Sequence, residues 1–152
     1  MKIFIGADHR GFVIKQKLIK ILAARGHHVV DVGSFQEGVA CDYPGISLAL
    51  GTKVTATPGS RGILVCLTGI GHSIAANKIP GVYAALCYSV AAAKLSRQHN
   101  NANVLVLGAG FVPANQINTI IFEWLKAEFE GGRHLRRVKQ IKAIEKRFLK
   151  ST

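Results

Sequence analysis

Five short apolar runs, at positions 2–6, 28–32, 62–66, 82–87 and 104–107, alternate along the chain with longer segments patterned at helical spacing. The interiors of these runs are nearly continuous Ile, Val, Leu and Ala, as in strands covered on both faces; a half-exposed sheet would show strict alternation. After the first run, Val13, Ile14, Leu18, Ile19, Ile21 and Leu22 recur at helical spacing, and Gly26 closes that helix. Further helices are predicted to begin near Pro44, Gly71, Val90 and Pro113, the last with Trp124 and Phe129 close to its end.

Strands alternating with helices predict a doubly wound α/β fold. It is a three-layer, Rossmann-like sandwich around a five-stranded parallel sheet, joined by right-handed crossovers. Ligands bind such sheets beyond the carboxyl ends of the strands, here the segments after Gly6, Val32, Cys66, Cys87 and Leu107. An extra C-terminal helix is predicted over 133–149, after the Gly131-Gly132 break, with Leu135, Val138, Ile141, Ile144 and Phe148 on one stripe. The three layers are complete without it, so the stripe is expected to cover another subunit. No repeat or low-complexity segment interrupts residues 1–152, which are expected to form a single domain.

The 49% apolar share excludes disorder. No signal-peptide pattern precedes Asp8-His9-Arg10, and no apolar stretch approaches the roughly 18 residues needed to span a bilayer. A cytoplasmic protein with no membrane partner is expected. Cys41, Cys66 and Cys87 are odd in number and lack CxxC spacing, which suggests neither a disulfide framework nor a tetrahedral zinc site. The formal charge of +12 favours anionic partners of any kind.

The richest candidate for chemistry is the third run together with the turn after it, Gly62-Ile63-Leu64-Val65-Cys66-Leu67-Thr68-Gly69-Ile70-Gly71-His72-Ser73. It places a thiol at a strand end beside a helix start, where N–H groups tend to lower a thiol pKa. Gly69 and Gly71 let a substrate oxygen approach the backbone. Neither the GxxxxGK[ST] nor the GxGxxG spacing is present. Taken alone, the segment also fits a tight strand-to-helix turn with an incidental cysteine.

Three further groups lie elsewhere. Asp8, His9 and Arg10 come directly after the first strand, on the same rim as Cys66. They suit sugar hydroxyls or proton transfer, or else Asp8 caps a helix. His99 and Asn100 end the fourth helix, a position both residue types favour for dipole and backbone reasons. Arg133 and Arg137 stand one turn apart at the start of the last helix, a good phosphate clamp. Arg136, Lys139, Lys142, Lys146, Arg147 and Lys150 read as a solvated face, and the scarcity of aromatics among them argues against a nucleic-acid partner.

Several segments are recognisable together: Ala7-Asp8-His9-x-Gly11-Phe12, Asp42-Tyr43-Pro44, Cys66-x-Thr68-Gly69-Ile70-Gly71-x-Ser73-Ile74-Ala75-Ala76-Asn77-Lys78, Leu95-Ser96-Arg97-Gln98-His99-Asn100, Ala102-Asn103-Val104-Leu105 and Glu130-Gly131-Gly132-Arg133-His134-x-x-Arg137. In this order the chain resembles the ribose/galactose isomerase family, and within it the type B ribose-5-phosphate isomerases. The resemblance implies a metal-independent, cofactor-free aldose-ketose isomerase that interconverts ribose 5-phosphate and ribulose 5-phosphate through an enediolate. It implies that Cys66 moves the proton between C2 and C1 and that Thr68 tunes the thiol. The N–H groups around Gly69, Gly71 and Ser73 then hold the enediolate oxygen. His99, assisted by Asp8, opens the sugar ring, Tyr43 and Asn100 position it, and His9, Arg133 and Arg137 bind phosphate. It further implies homodimers or tetramers whose active sites draw on two subunits.

Two positions depart from the pattern: Leu67 where the family usually has glycine, and Gly110 where it usually has a phosphate-binding arginine. Arg10, beside His9, is a candidate replacement for that charge. These departures keep open a hexose 6-phosphate substrate of the allose or galactose type. A non-catalytic binder of anionic ligands is the reading from another class, and Cys66, Thr68, Asp8, His9 and His99 together argue against it.

Overall fold

The computed structural model describes residues 1–149, so Lys150 lies outside the described residues. Along the chain run β1 (Lys2–Ala7), α1 (Phe12–Ala24), β2 (His28–Asp31), α2 (Tyr43–Ala56), β3 (Arg61–Cys66), α3 (Ile70–Ala76), β4 (Ala84–Cys87), α4 (Val90–Asn100), β5 (Val104–Gly108), α5 (Ala114–Lys126) and α6 (Gly132–Leu149). Each predicted element forms. β4 starts later than its apolar run because Val82 is tied into a turn through its N–H to Ile79 O at 3.0 Å. Phe129 lies beyond α5.

All strand pairs are parallel, in the order β2-β1-β3-β5-β4. Successive residues of a strand point to opposite faces, and the buried strand residues sort accordingly. Ile3, Ile5, Ile63, Val65, Leu105 and Leu107 pack with Leu18 and Leu22 of α1, Ala93 of α4 and Ile117, Ile120 and Trp124 of α5. Phe4, Leu64, Val104 and Val106 pack on the other face with Ile46, Leu50 and Val54 of α2 and Ala76 of α3. This is the expected three-layer sandwich, and its two-sided burial explains why the strand sequences read as continuous apolar runs.

Among the charged groups buried in this frame, one is completely enclosed. Lys15 of α1 is fully enclosed, and its Nζ donates to Asp31 Oδ1 at 2.7 Å, Gly33 O at 2.6 Å and Ser34 O at 2.8 Å. The ammonium thereby fastens the chain leaving β2. A buried ammonium is tolerable because a carboxylate and two carbonyls satisfy its donors.

α6 packs through His134 and Val138, whereas Leu135, Ile141, Ile144 and Phe148 of its stripe stay exposed. No helix among the described residues is long and apolar enough to cross a membrane.

Candidate active site

Residue 7 of β1 pairs with residue 65 of β3, so Asp8 and Cys66, one step further on, meet at the carboxyl rim of the sheet. Cys66 Sγ donates to Asp8 Oδ2 at 2.9 Å. The other carboxylate oxygen, Oδ1, accepts the N–H groups of Arg10 and Gly11, each at 3.0 Å. Burial pushes the Cys66 thiol pKa up, the Asp8 hydrogen bond and charge add to this, and the N–H groups of Gly69 and Thr68 only partly oppose it. The lowered pKa expected from the helix start is therefore not found. Its N–H donors are present, but desolvation and a carboxylate outweigh them.

The turn after Cys66 is held on both sides. Gly69 has φ +79°, in the left-handed region that favours glycine, and caps α3. Thr68 Oγ1 accepts the Ile70 N–H at 3.3 Å, and Thr68 O accepts the Tyr88 hydroxyl at 2.7 Å. Ser73 gives its N–H to Gly69 O at 2.9 Å, so that group is spent within the helix and the Ser73 hydroxyl is what remains for a ligand. The ring of Tyr43 lies over Gly71, where a Cβ would stand 2.6 Å from Tyr43 Cζ. Tyr43 and Gly71 thus form one wall.

Beneath that wall lies His72, a residue that the sequence motifs pass over. It is fully buried, its Nδ1 is 2.7 Å from Ser47 Oγ, and its ring meets Tyr43 edge-on at 5.7 Å. Burial lowers its pKa to about 4, with the Asp8 charge opposing, so the imidazole is neutral at physiological pH. Its partner Ser47 is 25 residues away in α2, a contact that no local spacing announces.

The remaining expected site residues divide between two ends of the molecule. His9 and Arg10 are exposed on the Cys66 rim. α4 runs back across the sheet for 11 residues, about 16 Å. His99 and Asn100 therefore end at the opposite rim, next to Asn103 and Val104, which receive and begin the strand starts. There His99 stacks on His134 with centroids 4.1 Å apart and planes 5° apart. Glu130 Oε2 lies 3.8 Å from His99 Nε2 and 3.7 Å from His134 Nε2. Burial, then the nearby His99 and Arg133, lower the His134 pKa. Arg133 and Arg137 are exposed on the first turns of α6 beside this pair. Within one chain, Asp8 is thus the partner of Cys66 and stands apart from His99.

Leu67 and Gly110 are in contact. A Cβ at position 110 would fall 2.5 Å from Leu67 Cδ1 and 3.0 Å from Leu67 O, and the Gly110 N–H donates to that same oxygen at 2.9 Å. The Leu67 side chain thus fills the space that a larger residue at 110 would need. The two positions that stand out in the sequence are therefore packed against each other.

This geometry can be tested at both places. Alkylation of Cys66, monitored by peptide mapping against pH, has a midpoint above that of free cysteine. Asp8→Asn lowers it, since the charge opposing the thiolate is gone; a wild-type midpoint at or below that of free cysteine contradicts the assignment. In urea unfolding, Gly110→Arg destabilises less when Leu67→Gly accompanies it, with a coupling of about 0.5–3 kcal/mol. Strict additivity would show that the two positions are independent.

The matching family model is described as Ribose/Galactose Isomerase and spans residues 3–141. A ribose-5-phosphate isomerase B of Escherichia coli is 42% identical over 146 residues, covering 96% of this chain and 97% of that protein. A solved ribose-5-phosphate isomerase B from Clostridium thermocellum superposes with a TM-score of 0.94 at 44% identity, covering 97% of this chain and 99% of the other. That of Mycoplasma genitalium, solved with bound ribulose-5-phosphate, superposes with a TM-score of 0.90 at 42% identity, covering 95% and 96%. With two-sided parallel sheet, rim turn and six motifs in register, this chain belongs to the ribose/galactose isomerase family.

Proposed function

We propose that this protein is an aldose-ketose isomerase that interconverts ribose 5-phosphate and ribulose 5-phosphate, with Cys66 as the base. The observation that carries this reading is the Cys66–Asp8 hydrogen bond of 2.9 Å, set at the sheet rim in a chain of this family. Proton transfer next to a carbonyl requires a base and donors for the oxyanion. In the resting site Cys66 is a thiol with an acceptor already in place. Asp8 takes the thiol proton, and the N–H groups of Thr68 and Gly69 face the sulfur as charge forms there.

The thiolate then removes the proton from C2, the C2–H electron pair moves into the enediolate, and the proton is returned to C1. Backbone donors around Gly69 and Gly71, with the Ser73 hydroxyl, stabilise the enediolate oxygen. Tyr43 walls the sugar, His99 opens the ring, Asn100 orients it, and His9, Arg133 and Arg137 hold the phosphate. Arg10 replaces the charge that Gly110 does not supply.

These roles need groups from both rims, which one chain holds at opposite ends. We infer that two copies join the Cys66 rim of one to the His99 end of the other, in a homodimer or a tetramer. The uncovered Ile141, Ile144 and Phe148 supply apolar surface for assembly. A cytoplasmic location accords with this metabolic role. The packing of Leu67 on Gly110 supports one second reading, a hexose 6-phosphate such as allose or galactose 6-phosphate, because it alters the rim where the phosphate clamp is usually completed.

Turnover across ribose 5-phosphate, allose 6-phosphate and galactose 6-phosphate is expected to rank the pentose first; a hexose in first place selects the second reading. Cys66→Ala and His99→Ala are each expected to be inactive alone and to regain turnover when unfolded together and refolded as mixed oligomers. Mixed oligomers that stay inactive would contradict sites shared between copies.

A further inference from the structure

Asp8, Cys66 and His72 form a compact set of donors: a carboxylate oxygen, a sulfur and a ring nitrogen, all within 4.8 Å of one another. The proposed reaction employs the first two and leaves His72 without a task. Ser47 occupies its Nδ1 at 2.7 Å, while Nε2 is buried and has no hydrogen-bond partner among the described residues. Buried ring nitrogens are ordinarily satisfied, so an orphan on a ring that stands against a thiol and a carboxylate requires a cause. We propose that Asp8, Cys66 and His72 bind a thiophilic divalent cation of the zinc class, which switches off the isomerase by capping its base.

The donor types select the ion. Thiolate and imidazole favour zinc and its neighbours over magnesium or calcium, which prefer oxygen. Three protein ligands leave a fourth, open position toward the sugar site, the arrangement of an accessible zinc centre. Each flanking ligand is already oriented from behind. Asp8 Oδ1 is held by the Arg10 and Gly11 N–H groups, leaving Oδ2 forward, and His72 Nδ1 is held by Ser47, leaving Nε2. On binding, Cys66 releases its thiol proton to water, and its sulfur donates a lone pair to the cation. Tetrahedral coordination would place Sγ and Oδ2 about 3.5 Å apart given ordinary zinc bond lengths. Their present separation of 2.9 Å is that of the hydrogen bond which the cation replaces.

His99, Glu130 and His134 also lie within 4.8 Å of one another. Their two rings are stacked at 5°, and the in-plane lone pairs of parallel rings do not converge on one ion. The second cluster is therefore no competitor.

The test titrates the full reduced chain with Zn²⁺ by calorimetry and with Co²⁺ by absorption, next to His72→Val and Ser47→Ala. One cation per chain is expected, with a thiolate-to-cobalt charge-transfer band that Cys66→Ala abolishes. Zn²⁺ is expected to stop turnover and a chelator to restore it. His72→Val should keep metal-free turnover and lose about 100-fold in zinc affinity, and Ser47→Ala should lose about tenfold. Should His72→Val fail to fold, the Ser47→Ala arm decides. Zinc affinity unchanged in the folded variants, or cobalt binding without the charge-transfer band, would overturn the proposal. The inhibition arm rests on Cys66 being the base, whereas the binding arm does not. Zinc binding as described, with no turnover of any sugar phosphate, would therefore count against the isomerase reading alone.

Discussion

The hydrogen bond from Cys66 to Asp8 joins residues 58 positions apart and exists because β1 and β3 are parallel neighbours in a fixed register. A slip of one residue would turn Cys66 to the other face of the sheet, toward α1 and α5, and leave Asp8 without it. That register is fixed in turn by the burial of both faces: Ile63 and Val65 belong to one core, Leu64 to the other. The chemistry of the site thus depends on the most ordinary feature of the fold, and the two apolar layers hold a thiol against a carboxylate where neither alone would be poised.

Parallel topology also explains why the other candidate groups are far away. Every crossover helix begins at the carboxyl rim and returns to the amino rim, so residues near a helix start join Cys66 and residues near a helix end leave it. Thr68, Gly69 and Gly71 belong to the first kind, and His99 and Asn100 to the second. In the proposed reaction, the phosphate clamp on α6 beside His99 reaches the Cys66 rim only through another copy. The same proposal gives the exposed apolar stripe of α6 a second copy to pack against.

Much of this is legible in the sequence, for a physical reason. Two-sided burial writes itself into each strand as a continuous apolar run, and Gly26, Pro44 and Pro113 mark the helix boundaries, so the layers can be read from the residues alone. Strand order cannot, since all five runs look alike and nothing local tells β3 to lie beside β1. For that reason the sequence leaves unstated that Asp8 meets Cys66 within one chain, a contact that only the register supplies. The thiol pKa departs from expectation in the same way: the N–H donors of the turn are local and visible, whereas burial and the Asp8 charge are tertiary. Ser47–His72 and Leu67–Gly110 are likewise contacts between separate elements. Leu67 and Gly110 each stand out as unusual residues, but only packing shows that one makes room for the other.

In the proposed reaction, the thiol held by Asp8 is the group that moves the proton. That role is tested most directly by measuring ribose 5-phosphate binding and turnover together in Cys66→Ser, whose hydroxyl nearly matches the thiol in shape but is a far poorer base at neutral pH. Retained binding with turnover reduced by about 100-fold or more is the expected result. Turnover close to that of the wild type would contradict it.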